Sequence, residues 1–200
     1  MRVLYVTAVI IIADQLTKFL VKGIDVPLLG IALQGMPLGA SVPVFGDLLR
    51  ITFIENPGMA FGIELGGKFL LTIFSIAASI GILFYIYMMR CEQLVFRVSL
   101  AFILGGAVGN LIDRVFYGVL YGTGPLFYGK VVDFIDVDFF NINFLNFHLS
   151  RFWVFNIADA SVTVGVLMML IFHRSLAKES ERLPEAERET SSPTETSSTT

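Results

Sequence analysis

Two carboxylates have the chemistry and the company to act together: Asp133 in Val131-Val132-Asp133-Phe134, and Asp159 in Phe155-Asn156-Ile157-Ala158-Asp159. Asp159 falls inside an otherwise apolar stretch, Phe152 to Phe172, long enough to cross a bilayer. Charge at the centre of a spanning helix costs about 2.5–3.5 kcal/mol even on the lenient insertion scale, so an acid in such a stretch marks a site. Two carboxylates sharing one proton can activate water against an amide, which is aspartic-protease chemistry placed in a membrane.

Other polar groups recur at helical spacing. Asp14 and Lys18 are i,i+4, with the acid N-terminal, the better order for a helical ion pair. Asn110, Asp113 and Arg114 fall at i, i+3, i+4 after Gly105 and Gly109, and so share a helix face. Close helix packing explains the glycines but not the polar trio. Asn56-Pro57-Gly58 closes an alternating run, Leu49 to Glu55, that reads as a strand ending in a turn. Asn156 and Asp159 are i,i+3 and share a face.

Composition sets the class. The 200 residues are 55% hydrophobic and 16% charged, and mean hydropathy is +0.75, a membrane-protein mix. Spans are expected at about 3–21, 69–89, 94–112 and 152–172. A net charge of −3 without a basic block argues against a nucleic-acid partner. Cys91 has no intrachain partner, the two histidines are far apart, and no Cys/His set has zinc spacing, so neither metal nor cofactor is expected. Asp136 and Asp138 read as the polar face of an amphipathic ribbon, since no third oxygen ligand with defined spacing accompanies them. Alternation in Ile135–Phe139 reverses phase in Phe140–Phe144, which predicts a bulge or turn between them. Tyr117–Gly129 reads as a flexible interfacial loop, and 178–200 as a disordered tail. Charge counts at the span ends nearly cancel and leave orientation open.

Asp14-Gln15-Leu16-Thr17-Lys18, Asn56-Pro57-Gly58-Met59-Ala60-Phe61, the block Gly105 to Arg114, Val131-Val132-Asp133-Phe134 and Phe155-Asn156-Ile157-Ala158-Asp159 together resemble lipoprotein signal peptidases (signal peptidase II) of bacterial inner membranes. They stand in that family's order. The resemblance implies a mainly α membrane protein of four transmembrane helices with a small periplasmic-side β-sheet cradle. It implies one peptidase domain over 1–177, and both termini, including the tail, in the cytoplasm. It further implies removal of signal peptides from diacylglyceryl-modified prolipoproteins just before the lipid-bearing cysteine, with globomycin as inhibitor. Expected partners are those precursors and membrane phospholipid, and the expected state is a monomer. Asp133 and Asp159 match the catalytic positions. Asp14, Lys18, Asn56, Gly58, Asn110, Arg114 and Asn156 match substrate-pocket positions, and Asp113 a supporting one. Two segments, 117–129 and 135–151, are longer than in many members. A proton-coupled carrier or lipid-binding module using the same acids is the competing class; it does not account for five ordered motifs.

Overall fold

The structure, a computed structural model, describes residues 2–26, 30–60, 63–64, 67–138, 142–144, 147–149 and 154–172. The expected phase reversal at Phe139-Phe140, the boundary aromatics Phe152 and Trp153, and the tail lie outside these residues.

The first helix, α1 (Leu4–Lys22), is amphipathic in the inverted sense that lipid demands. Tyr5, Val9, Ile12, Leu16 and Leu20 form an exposed apolar stripe, whereas Thr7, Ile10, Asp14, Lys18 and Val21 face inward. Helix α2 (Gly67–Met88) is uncharged after Lys68, and α3 (Leu94–Ile112) packs between α1 and α2. All three are long and apolar enough to cross a membrane. Thr7 Oγ1 donates to the Ala101 carbonyl at 2.9 Å, and Ile86, Leu100, Ala101 and Leu104 form an apolar cluster with Val3.

Helix α3 does not stop at Ile112. A π-helical turn, Asp113–Tyr117, and a short continuation, α4 (Gly118–Leu120), extend it. The expected loop over Tyr117–Gly129 therefore begins as helix. Its remainder folds back on itself: Phe127 N–H donates to the Val115 carbonyl and Gly129 N–H to the Arg114 carbonyl, at 3.1 and 2.9 Å. Both carbonyls belong to the π-helical turn, so the returning chain pairs with the helix at its irregular step.

The extramembrane strands are β1 (Gly23–Val26) and β2 (Ile31–Gln34), paired as one ribbon, and a three-stranded sheet. The sheet comprises β3 (Ser41–Phe45), β4 (Leu49–Asn56) and β7 (Val131–Val137), with β4 central and all pairs antiparallel. Two-residue strands β5 (Met59–Ala60) and β6 (Ile63–Glu64) and a hairpin of β8 (Ile142–Phe144) and β9 (Phe147–Leu149) complete the described strands. Strand β7 starts at Val131, earlier than the alternation from Ile135 suggested, and so includes Asp133. Asp136 corrects another expectation. It is buried and accepts from Thr52 Oγ1 on the neighbouring strand at 2.6 Å, so it is not part of a solvated face.

The sheet meets the helices through Val21, Phe53, Tyr117, Val132 and Phe134. Glu55 ties the same junction together, bonding Lys22 at the end of α1 at 2.7 Å and Lys130 before β7 at 2.9 Å. Burial raises the Glu55 carboxyl, but Lys130 and Lys22 outweigh it and hold the group below the ordinary range.

The last described helix, α5 (Ile157–Phe172), is also apolar, and it corrects a boundary. Its 16 described residues rise about 24 Å. Val154–Asn156 are not helical. Phe155 bridges to Ile135, accepting from the Phe134 and Ile135 N–H groups and donating to the Ile135 carbonyl. The chain thus runs along the free edge of β7 before turning into α5, so Asp159 lies in the first turn of the helix.

Glycines let α5 approach α3. A Cβ on Gly106 would sit 2.1 Å from the Ala158 carbonyl oxygen, and one on Gly165 2.7 Å from that of Ser99. Both clashes are with backbone, which cannot step aside. We expect Gly106→Ala to lower the melting temperature, equivalent to about 1–3 kcal/mol of overpacking, and to displace the α5 N-terminus. Thermal melts of the purified full chain check this.

Candidate active site

Asn156 is the N-cap of α5, and Asp159 stands at its third helical position. Asn156 Oδ1 accepts from the Asp159 N–H at 2.9 Å, while Asp159 Oδ2 accepts from the Asn156 N–H at 3.3 Å. This is a capping box in which aspartate replaces the usual glutamate. The Asn156-x-x-Asp159 spacing that suggested a shared helix face is therefore a helix start. The positive end of the helix suits a carboxylate there.

The other end of Asn156 reaches the strand. Its Nδ2 donates to Asp133 Oδ1 at 2.7 Å, and also lies near the Val132 carbonyl and Asn110 Oδ1 at 3.2 and 3.0 Å. One buried residue thus meets both carboxylates, that of Asp133 through its side chain and that of Asp159 through its backbone N–H. Asn110 Nδ2 donates to Asp159 Oδ1 at 2.7 Å, and Asn56 hydrogen-bonds Asp133. Burial pushes the Asp133 carboxyl up to about 7, and the Asp159 charge adds to the effect; hydrogen bonds from Asn56 and Asn156 and the charge of Lys18 oppose it.

Beneath the acids lies a dry ionic network. Lys18 Nζ reaches Asp14 Oδ2 at 2.8 Å, Asp113 Oδ2 at 2.7 Å and Asn110 Oδ1 at 3.0 Å, and all three charged side chains are 0% exposed. Lys18 does not snorkel to the surface. Gln15 Nε2 lies within 3.2 Å of Asp14, the Gly109 carbonyl and Asp113, and Gln15 Oε1 accepts from the Tyr117 hydroxyl at 3.0 Å. Gly109 is required here: a Cβ would stand 2.8 Å from Asp14 Oδ2.

At the rim, Gly58 takes φ +100° and donates its N–H to Asn56 Oδ1 at 2.9 Å. The positive φ explains the glycine. Arg114 donates from Nη1 to the Asn110 carbonyl at 3.3 Å and stands in the field of Asp113, Asp159 and Asp133. Its buried Nε has no hydrogen-bond partner among the described residues.

All nine expected site residues therefore converge, from five segments of chain. Asp133, Asp159, Asn56, Asn110 and Asn156 form one hydrogen-bonded set. Asp14 and Lys18 lie under it, and Gly58 and Arg114 beside it. Sequence reading missed Gln15 and Tyr117 as members. Gln15 sits between Asp14 and Lys18 in the first motif, and Tyr117 lies one turn beyond Asp113. Among the described residues no cluster of His, Cys, Asp and Glu could hold a metal ion.

A family model described as Signal peptidase (SPase) II matches residues 6–174. A lipoprotein signal peptidase of Bacillus velezensis is 38% identical over 162 residues, covering 81% of this chain and 86% of the relative. That of Caulobacter vibrioides is 35% identical over 170 residues, covering 83% and 82%. Among solved structures, a bacterial membrane enzyme determined by the in meso method at 2.3 Å superposes with TM-score 0.61 at 27% identity, over 99% of this chain and 94% of its own. A second such enzyme, at 1.9 Å, gives 0.59 at 30% identity, over 85% and 90%. The matched region holds the whole of the polar network, and the chain belongs to the signal peptidase II family.

Proposed function

We propose that this protein removes signal peptides from diacylglyceryl-modified prolipoproteins, cutting before the lipidated cysteine with Asp133 and Asp159 as a proton-sharing dyad. The observation that carries this reading is Asn156, whose side chain bonds the Asp133 carboxylate on β7 and whose backbone N–H bonds the Asp159 carboxylate at the start of α5. The names of the relatives supply the substrate class.

Burial and the nearby Asp159 raise the Asp133 carboxyl to about 7, which makes Asp133 the member suited to hold the shared proton. Close carboxylates titrate as a unit, so this assignment describes the dominant form of the pair. Asp159 takes a proton from water as its oxygen bonds to the scissile carbonyl carbon, while Asp133 donates to the carbonyl oxygen. Collapse of the tetrahedral adduct breaks the C–N bond; the proton gained by Asp159 passes to the leaving amine, and the adduct's hydroxyl returns its proton to Asp133 as the carbonyl re-forms. Asn56 and Gly58 border the path of the peptide, and the unpartnered Arg114 Nε is a donor suited to a carbonyl of the peptide or lipid ester. Orientation of this kind supplies much of an enzymic rate.

In this reading four helices span the inner membrane with both termini cytoplasmic and the acids toward the periplasm. The sheet rests over the outer leaflet, and the enzyme acts as a monomer among phospholipids. The test is incubation of the purified chain in lipid with a lipid-modified precursor. We expect a size shift to mature lipoprotein that globomycin blocks. An unprocessed precursor under those conditions would leave the carrier reading in its place.

A further inference from the structure

We propose that Lys18, with Asp14 and Asp113, is a positioning clamp that sets the separation and aim of Asp133 and Asp159, rather than a group that contacts substrate. This inference rests on the dyad reading above.

The clamp has a two-armed form. Asp14 Oδ1 accepts from the backbone N–H of Ala158, the residue before Asp159, at 2.9 Å. Asp113 Oδ2 accepts from the backbone N–H of Val132, the residue before Asp133, at 3.2 Å. Each carboxylate thus holds the main chain one residue upstream of one acid. Lys18 Nζ joins the two arms at 2.8 and 2.7 Å. An ammonium has no acceptor, so Lys18 must meet Asn110 at Oδ1 and leaves its Nδ2 to face Asp159.

Contact with substrate does not fit these residues. Lys18, Asp14 and Asp113 are 0% exposed, and their polar atoms are already engaged with protein partners. Charge neutralisation alone does not account for them either. Two carboxyl groups stand against one lysine, more acid than the lysine needs. The surplus has a use, since each acid accepts from a backbone N–H as well as from Lys18. The π-helical turn helps: it begins at Asp113, so the same helix end directs Asp113 to Lys18 and carries Arg114 beside the acids.

The test measures kcat and KM separately on a lipidated precursor, with thermal melts, for the full chain in lipid. Asp113→Asn has one acceptor oxygen where Asp113 Oδ2 serves both Lys18 and Val132 and Oδ1 serves Gln15. We expect a folded enzyme with kcat at least about tenfold lower, KM within about twofold of wild type, and a displaced alkaline limb of the pH–rate profile. Lys18→Met/Asp113→Asn removes one acid together with the lysine it faces, so the excess of one acid over base is kept. We expect it to fold and stay slow.

Three results would overturn the clamp. They are a raised KM at unchanged kcat in Asp113→Asn, recovery of wild-type kcat in the double variant, and loss of the fold in both variants, which would make the network purely structural. Failure of the dyad is distinguishable. Active Asp133→Asn and Asp159→Asn enzymes remove the dyad and the clamp with it. Inactive acid variants beside a fully active, folded Asp113→Asn remove the clamp alone.

Discussion

Asp133→Asn should cut cleavage of a lipidated precursor by at least about 10³-fold while leaving the protein folded, in line with losses seen when one member of a catalytic unit is removed. Asparagine keeps the shape of the side chain and an oxygen to accept from Asn156 and Asn56, but it cannot carry the proton that the carbonyl needs. The same variant tests the electrostatics. Burial and the Asp159 charge raise the native Asp133 carboxyl to about 7, above the ordinary 3.8. A raised acid binds more protons folded than unfolded between those values, so its cost to stability grows as pH rises from about 4 to 7 and is full above 7. Asparagine escapes that cost. Asp133→Asn should therefore melt higher than wild type at pH 8, with the difference vanishing near pH 4. An inactive variant with that profile reads as a site group held against its own stability. Wild-type activity in a folded Asp133→Asn would remove the acid from the mechanism.

Asn156→Ala should be the next most damaging change, because it breaks two relations at once. Loss of the N-cap costs about 0.5–2 kcal/mol and loosens the first turn of α5. Loss of Nδ2 frees Asp133 from its 2.7 Å partner. We expect a melting temperature a few degrees lower and kcat down about 10²-fold. Asn156→Asp separates the two effects. Its carboxyl still caps the helix, but when ionised it offers no donor and buries a third acid beside Asp133, so it should melt below wild type above pH 7, recover near pH 4, and cleave no faster than Asn156→Ala. An Asn156→Asp enzyme of normal rate would mean that the bridge between the acids is incidental.

Much of the site was legible in the chain because its determinants are local. The i,i+4 spacing of Asp14 and Lys18 predicts an ion pair that the structure places at 2.8 Å. Helical spacing also gathers Asn110, Asp113 and Arg114, and Leu49–Glu55 forms the strand its alternation implied. The misreadings share a cause. The apolar run from Phe152 looks like uninterrupted span, yet Phe155 pairs with β7 and Asn156 caps the helix, and neither act changes hydropathy. Tyr117 looked like loop because Gly118 and Gly122 punctuate the sequence, while burial of its ring against Phe19 and Tyr121 holds it in a helical turn. Asp136 looked solvated because alternation cannot say which face of a sheet meets the protein. The inward role of Lys18 follows from burial, which a lone lysine in an apolar segment does not reveal. Closeness of Asp133 to Asp159 comes from the edge pairing of Phe155 with β7, a tertiary event.

The central claim is that Asp133 and Asp159 feel each other across Asn156 and hold one proton between them. Infrared titration of the protonated-carboxyl band, taken as the difference between wild type and Asp133→Asn, reads that proton. A band with a midpoint near pH 7 is expected, moving to lower pH in Asp159→Asn, where the repelling charge is gone. A midpoint unmoved by Asp159→Asn would contradict the account, because the two acids would then be titrating alone.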